Sequence, residues 1–227
     1  RLFDYEIPDE LAPEAREGVR VRVPLRAAGR IVDGFIVELD DEPAADRPLS
    51  ELESVISPVP VLPRRLYDLA RKVADRSAGS ASDILRLVVP RRMVRAERSW
   101  QNAERAAAPE VQASTAEWAA AGLASFPGLE ESLSRGARIA LTAPTTPVTP
   151  GSPAPGWVGV LAAASAQLLA AGRSSILVVP DHRDLDQLEQ GLIAHGLGEA
   201  VIRTDAAQSA PARYGAYLRV LEPTPSI

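Results

Sequence analysis

Arg1-Leu2-Phe3-Asp4-Tyr5-Glu6-Ile7-Pro8, read together with Arg20-Val21-Arg22-Val23-Pro24, is the stretch that decides the fold of the first part of this chain. Both segments read as β. Side chains alternate across a strand, so Phe3 and Tyr5 share one face while Asp4 points to the other. Arg20 to Val23 alternates polar and apolar, the pattern of a half-buried strand. A turn after Pro8 brings the second strand beside the first.

Working outward, Ala27-Ala28-Gly29 reads as a hairpin tip, and Ile31 to Leu39 as a third strand with Gly34 as an internal break. The acidic, Pro-containing run Asp40 to Pro48 is a loop. Leu52 to Ile56 is a short last strand, closed by Pro58 and Pro60. Two helices follow. Pro63 opens the first, in which Leu66, Leu69, Ala70 and Val73 recur at helical spacing and which Gly79 ends. Ser80, with Asp83 three residues on, caps the second, and Pro90 stops it.

Composition narrows the function classes. The chain has 227 residues and a formal net charge of −5, with no global basic signature. Charge is uneven, however: residues 64–98 hold ten Lys or Arg against four acids, a local balance of +6. Such a stripe is an electrostatic footprint for nucleic acid. There is no cysteine, which excludes a disulfide framework and a Cys-based zinc site, and two histidines are too few for a His-built one. No apolar run reaches the roughly 18 residues of a membrane span, and no leader-like pattern opens the chain. The start without Met and the end on a strand-like Ile227 read as a cytosolic fragment. No Gly-x-Ser-x-Gly is present for nucleophilic catalysis.

The polar, Arg/Ala/Glu-rich run beginning at Arg91 reads as a linker, and from Ser114 the pattern becomes α/β. Ser114 to Glu117 reads as a capping box. Helices are expected over Thr115–Ala124, Leu129–Leu133, Trp157–Ala171, Leu185–Ala194 and Arg213–Leu221. Strands are expected over Ala137–Leu141, Ser175–Val179 and Ala200–Arg203. Alternation of strand and helix argues for a parallel sheet with crossover helices. Asp181-His182-Arg183-Asp184 could suggest metal or acid–base chemistry, but reads as a solvated strand-to-helix loop with Asp184 as N-cap. The expected organisation is residues 1–97 as a β-rich domain ending in a helical hairpin, 98–113 as linker, and 114–227 as an α/β lobe.

Phe3-Asp4-Tyr5 followed by Val21-Arg22-Val23-Pro24 resembles the 3′-end DNA-binding domain of the PriA family of replication restart proteins. The helical pair closing on Leu85 to Pro90 is similar to the end of that domain. Leu168 to Arg173 followed by Ile176-Leu177-Val178-Val179-Pro180-Asp181 resembles the first RecA-like lobe of the family, Asp181 standing where Glu is usual. The order and spacing extend over nearly the whole chain, except that a winged-helix domain between the two parts has no room here.

The resemblance implies that Phe3, Asp4 and Tyr5 help form the pocket for a 3′ end, while Arg91, Arg92 and Arg95, within the +6 stretch, read as phosphate contacts and Arg22 as a further DNA contact. Leu25-Arg26 stands where the family has Phe-Gly, and Leu52-Glu53 where it has a Leu followed by the pocket Lys. Those two positions do not carry over. The implied partners are forked DNA with a 3′ end, single-stranded DNA-binding protein, the replicative helicase and other primosome subunits. No membrane is implied, and the setting is the cytoplasm, associated with the nucleoid.

Family members with a motor bind ATP and Mg²⁺ through Gly-x-x-Gly-x-Gly-Lys-Thr after the first strand of the lobe. Here that place reads Thr142-Ala143-Pro144-Thr145-Thr146-Pro147, and Lys72 is the only lysine in the chain. Proline has no N–H to offer a phosphate, and arginine replaces a compact ammonium poorly in a tight cradle. The lobe therefore reads as degenerate, as in PriA proteins of high-G+C actinobacteria, with no helicase activity of its own and no cofactor in this chain. The alternative is an ATP-dependent 3′-to-5′ helicase with an atypical nucleotide site. The family's zinc cluster lies beyond residue 227.

Overall fold

The computed structural model describes residues 2–26, 29–40, 48–105, 107–143, 145–146 and 155–227. Arg1–Met93 and Val94–Ile227 form two compact units.

In the first unit, β1 (Tyr5–Glu6) pairs in parallel with β4 (Ser50–Glu51). β2 (Arg20–Leu25) is the centre of an antiparallel sheet, flanked by β3 (Arg30–Phe35) and β5 (Ser54–Ser57). The register of β2 with β3 sets Arg20 opposite Phe35, Val21 opposite Gly34 and Arg22 opposite Asp33. Pro24 is tolerated inside a central strand because β5 pairs only with Arg20 to Arg22, so no ladder bond to β5 is lost at Pro24. The third strand stops at Phe35 instead of running to Leu39. Ile36 turns instead to residues 18 and 19, donating to the Val19 carbonyl and accepting from Gly18 N–H. Gly18 is required there: its φ is +85°, and a Cβ would fall 2.7 Å from the Leu62 carbonyl oxygen. Ala15, Val19, Val21, Val23, Ile36 and Leu52 form the core, with Tyr5 and Ile7 packed against it. The hairpin tip is represented by Gly29 alone, at φ +59°; Ala27 and Ala28 lie outside the described residues, as does most of the Asp40–Pro48 loop.

The helical pair forms as the spacing predicts. α1 (Arg64–Arg76) buries Ala70 and Ala74, and α2 (Ala81–Val88) starts at Ser80, whose Oγ accepts the Asp83 N–H and donates to its carboxylate.

The second unit begins with α3 (Val94–Asn102) and continues with α4 (Ala113–Ala124), α5 (Leu129–Ser134), α6 (Gly156–Ala170), α7 (His182–Ala194) and α8 (Ala210–Val220). α3 moves the division from the expected residue 97 to 93, and for a physical reason. Glu97, on α3, is buried and accepts a hydrogen bond from the Tyr214 hydroxyl of α8 at 2.6 Å. α6 is apolar nearly all round and carries much of the core, with α4 and α7 against it. α7 approaches so closely that a Cβ on Gly191 would collide with Val158 Cγ1. Two caps differ from expectation. Asp181, rather than Asp184, caps α7, its side chain accepting from the N–H of Arg183 and Asp184 at 2.8 and 3.0 Å. These bonds hold its carboxyl below the usual range. At α4 the cap position is Gln112, without a side-chain bond, and Thr115 donates its hydroxyl to the His195 carbonyl at 2.9 Å.

The expected strands of this unit are a correction: Ala137–Leu141, Ser175–Val179 and Ala200–Arg203 run without a ladder, and no strand is present among the described residues of Val94–Ile227. A ladder needs successive partners, and here Ser226 and Ile227 alone lie alongside. Ser175 N–H donates to Ser226 O at 3.0 Å. Ile227 N–H donates to Ala200 O, and Ile227 O accepts from Ile202 N–H, both at 2.8 Å. The bonds at Ile227 are those of one parallel bridge centred on Val201. Leu177 and Val179 pack inward on the core while Ile176 and Val178, at 88% and 87%, are exposed.

Candidate nucleic-acid interface

The short β1 and its approach set the geometry. Leu2, Phe3, Tyr5 and Ile7 line a groove, and Asp4 and Glu6 do not, so the alternation a strand requires holds from Phe3 to Ile7. Tyr5 is half-buried and committed: its ring packs on the core and its hydroxyl donates to the Pro24 carbonyl at 3.1 Å. Phe3 is 53% exposed. Asp4 is exposed on the opposite side of the segment, outside the groove. The structure thus places the three side chains in one short segment with three different surroundings.

The groove has a volume of about 1120 Å³ and lies between the β2–β3 hairpin and the α1–α2 pair. Its walls are apolar in Phe3, Ile31, Leu39, Leu85 and Val89. Five arginines also line it: Arg20, Arg30, Arg71, Arg86 and Arg91. Arg20 is held in place. Its guanidinium donates to the Pro90 carbonyl at 2.5 Å and lies over the Phe35 ring at 5.1 Å, while its Nε is buried without a hydrogen-bond partner among the described residues. Arg71 and Arg86 pair within their own helices with Asp75 and Asp83, both at 3.3 Å. The two acids that line the groove are each met by a cation outside its wall: Asp33 by Arg22 at 3.5 Å, and Glu38 by Arg64 at 3.9 Å. Arg64 is held above its usual range by the Asp68 hydrogen bond first and by its charge second.

Of the arginines that the sequence singles out, Arg91 lines this groove. Arg22 does not: it faces away from the buried Val21 and Val23, across the sheet from Asp33. Arg92 is half-buried in the same unit, and Arg95 is exposed on α3 of the other unit. Gly34 lines the groove opposite Val21, where a Cβ would meet only ordinary contact at 3.9 Å. Sequence reasoning missed Arg20 and Arg30. Their signal is the hairpin register, which pairs Arg20 with Phe35 and Arg30 with Leu25 at the two ends of one ladder.

Residues 1–90 match the family model described as the 3′ DNA-binding domain (3′BD) of PriA. Over 222 residues the chain is 38% identical to the probable replication restart protein PriA of Mycobacterium tuberculosis, covering 97% of this chain and 32% of that protein. The corresponding protein of Mycobacterium leprae is 35% identical over 225 residues, covering 97% of this chain and 33% of that one. The chain spans about a third of the length of the curated relatives it matches.

Proposed function

Because the chain belongs to the PriA family of replication restart proteins, we propose that it holds branched DNA by a free 3′ end, as at a stalled fork, and helps reload the replisome without a nucleotide-driven motor. The observation that carries this reading is Phe3, exposed in the wall of a groove lined with arginine, with Asp4 exposed on the outer side of the same segment, inside the residues that match the 3′ DNA-binding model. The terminal base stacks on Phe3, a contact that tolerates any base and so suits a protein acting wherever a fork stalls. The Asp4 carboxylate accepts from the terminal 3′-OH and repels a 3′-phosphate, so one group both selects and excludes. Tyr5 shapes the segment from below. Arg22, Arg91, Arg92 and Arg95 add phosphate contacts that ignore sequence. The partners in this reading are single-stranded DNA-binding protein, the replicative helicase and other primosome subunits, in the cytoplasm at the nucleoid.

The second unit is, in this reading, a degenerate RecA-like lobe in which the segments at Ser175, Val201 and Ile227 lie side by side without closing a ladder. The bridge between Ile227 and Val201, flanked on the other side by Ser175, supports that reading. ATP and Mg²⁺ do not fit it. α6 is entered through Pro155, its first residue Gly156 is buried, no side chain caps it, and the unit contains no lysine. Pro144 and residues 147–154 of the loop before it lie outside the described residues. No step of the proposed function runs through a nucleotide.

The test is binding to a fork ending in 3′-OH against the same fork ending in 3′-phosphate. Wild type prefers the 3′-OH; Asp4→Ala loses the preference and keeps plain duplex binding. A wild type indifferent to the two ends removes the role given to Asp4.

A further inference from the structure

We infer that the groove beside Phe3 is a track for several nucleotides of single-stranded polynucleotide leading up to the bound end, with phosphates on Arg30, Arg86 and Arg91 and bases against Phe3, Ile31 and Leu85. This rests on the 3′-end reading and extends it from one nucleotide to a strand. The groove combines the two features that sequence-tolerant single-strand binding needs, a cationic path for the backbone and apolar faces for bases. A duplex makes no use of the second feature, because its bases are already stacked and paired.

Electrostatics favour a polyanion. Arg30 and Arg91 make no ion pair among the described residues. The partners of Arg71 and Arg86 are exposed helix pairs, a class that contributes little to stability, so a phosphate competes with them at little cost. The acids in the wall, Asp33 and Glu38, are already answered by Arg22 and Arg64. The buried Arg20 Nε–H is a donor without an acceptor, held in the groove wall by the Pro90 and Phe35 contacts of the same guanidinium. Size agrees: about 1120 Å³ exceeds the roughly 300 to 1,000 Å³ typical of pockets for one small molecule.

The experiment titrates the full chain with 3′-OH oligothymidylates of increasing length, for wild type, Arg30→Ala/Arg86→Ala and the charge-keeping Arg30→Lys/Arg86→Lys. Wild-type affinity rises with length until the groove is filled. The alanine pair binds the shortest oligomer as wild type does, loses the gain with length, and lowers the slope of log K against log salt by about 1.4, from about 0.7 per single-strand phosphate contact. Raising salt from 50 to 200 mM then costs wild type about sevenfold more affinity than the variant. The lysine pair keeps the wild-type slope, which separates lost charge from lost fold. An alanine pair with wild-type slope and length dependence overturns the track, as does a wild-type chain that binds oligoglutamate through Arg30 and Arg86 but does not bind oligothymidylate, which assigns the groove to an acidic peptide. The end reading fails separately: a wild type indifferent to 3′-OH and 3′-phosphate, with the slope still dependent on Arg30 and Arg86, leaves the track standing without it.

Discussion

The Glu97 carboxylate lies 2.6 Å from the Tyr214 hydroxyl, 117 residues apart in sequence and both almost wholly buried. The bond joins α3 to α8. A second contact reinforces it: Trp100 Nε1 donates to Glu222 at 2.5 Å, and Arg105 pairs with the same carboxylate at 2.8 Å while lying 4.0 Å over the Trp100 ring. Removing the Tyr214 hydroxyl leaves a buried carboxylate short of a donor, a loss of about 1 to 3 kcal/mol. Tyr214→Phe therefore lowers the urea midpoint of the second unit with little change in its slope, and Glu97→Gln, which keeps an acceptor, costs less than Glu97→Ala. Equal stability of Tyr214→Phe and wild type would remove this bond as a tie between the helices.

That pair also explains what the sequence hides. The run from Arg91 is polar and weakly periodic, so it reads as linker. Its helix rests on a buried carboxyl hydrogen-bonded to Tyr214 and an indole hydrogen bond, neither of which shows as an apolar stripe. The α1–α2 pair was legible because the spacing of Leu66, Leu69, Ala70 and Val73 and the Ser80 cap are local signals, although Leu69 and Val73 are exposed and the buried face is Ala70 and Ala74. So was the β2–β3 hairpin, from the alternation at Arg20 to Val23. Strand-like composition at Ser175 to Val179 predicts a fully buried strand, but the segment runs without a ladder, with Leu177 and Val179 packed inward and Ile176 and Val178 exposed. A ladder, though, depends on partners distant in sequence, and these are present only at Ser226 and Ile227. In the site, Phe3 and Asp4 were readable from a short motif, while Arg20, Arg30, Arg71 and Arg86 converge only through register and helix packing.

Phe3 and Tyr5 should separate by assay. Tyr5 is tied to Pro24, so Tyr5→Phe loses one part-buried hydrogen bond, about 1 kcal/mol of stability, and leaves DNA affinity nearly unchanged. Phe3→Ala is close to neutral in stability and weakens binding of a free 3′ end by about 1 to 3 kcal/mol, the value of one stacked base. Paired thermal melts and fork titrations check both. Loss of stability in Phe3→Ala with intact binding would make Phe3 a packing residue.

His195 gives the second unit a pH dependence. Its ring stacks on Trp118 at 3.5 Å between centroids, and burial lowers its pKa from the ordinary value of 6.5. The unfolded chain then binds the proton more readily than the folded one. Stability is highest above about pH 6.5, falls as pH drops through that value, and levels off below the folded pKa. His195→Gln abolishes this segment of the pH profile, followed by urea midpoints between pH 5 and 8. A His195 NMR titration at or above the ordinary value reverses the sign and ends the argument.

The lobe's relation to nucleotide is the last test. A ligand that binds only the folded chain raises its stability by RT ln(1 + [L]/Kd), about 2.7 kcal/mol at a hundredfold excess over Kd. In the degenerate-lobe reading, the loop that would hold a phosphate cradle reads Thr142-Ala143-Pro144-Thr145-Thr146-Pro147, and no lysine follows Lys72. Prolines donate no N–H, so even a loop of the right shape lacks part of the donor ring that holds a β-phosphate. Millimolar ATP with Mg²⁺ should leave the melting temperature where it was, and a gain of lysine at Thr145 or Thr146 should not restore a shift, because the backbone donors are missing too. A clear upward shift for the wild-type chain, saturating with ATP, would show a nucleotide site that this loop does not make and would return the helicase reading to first place.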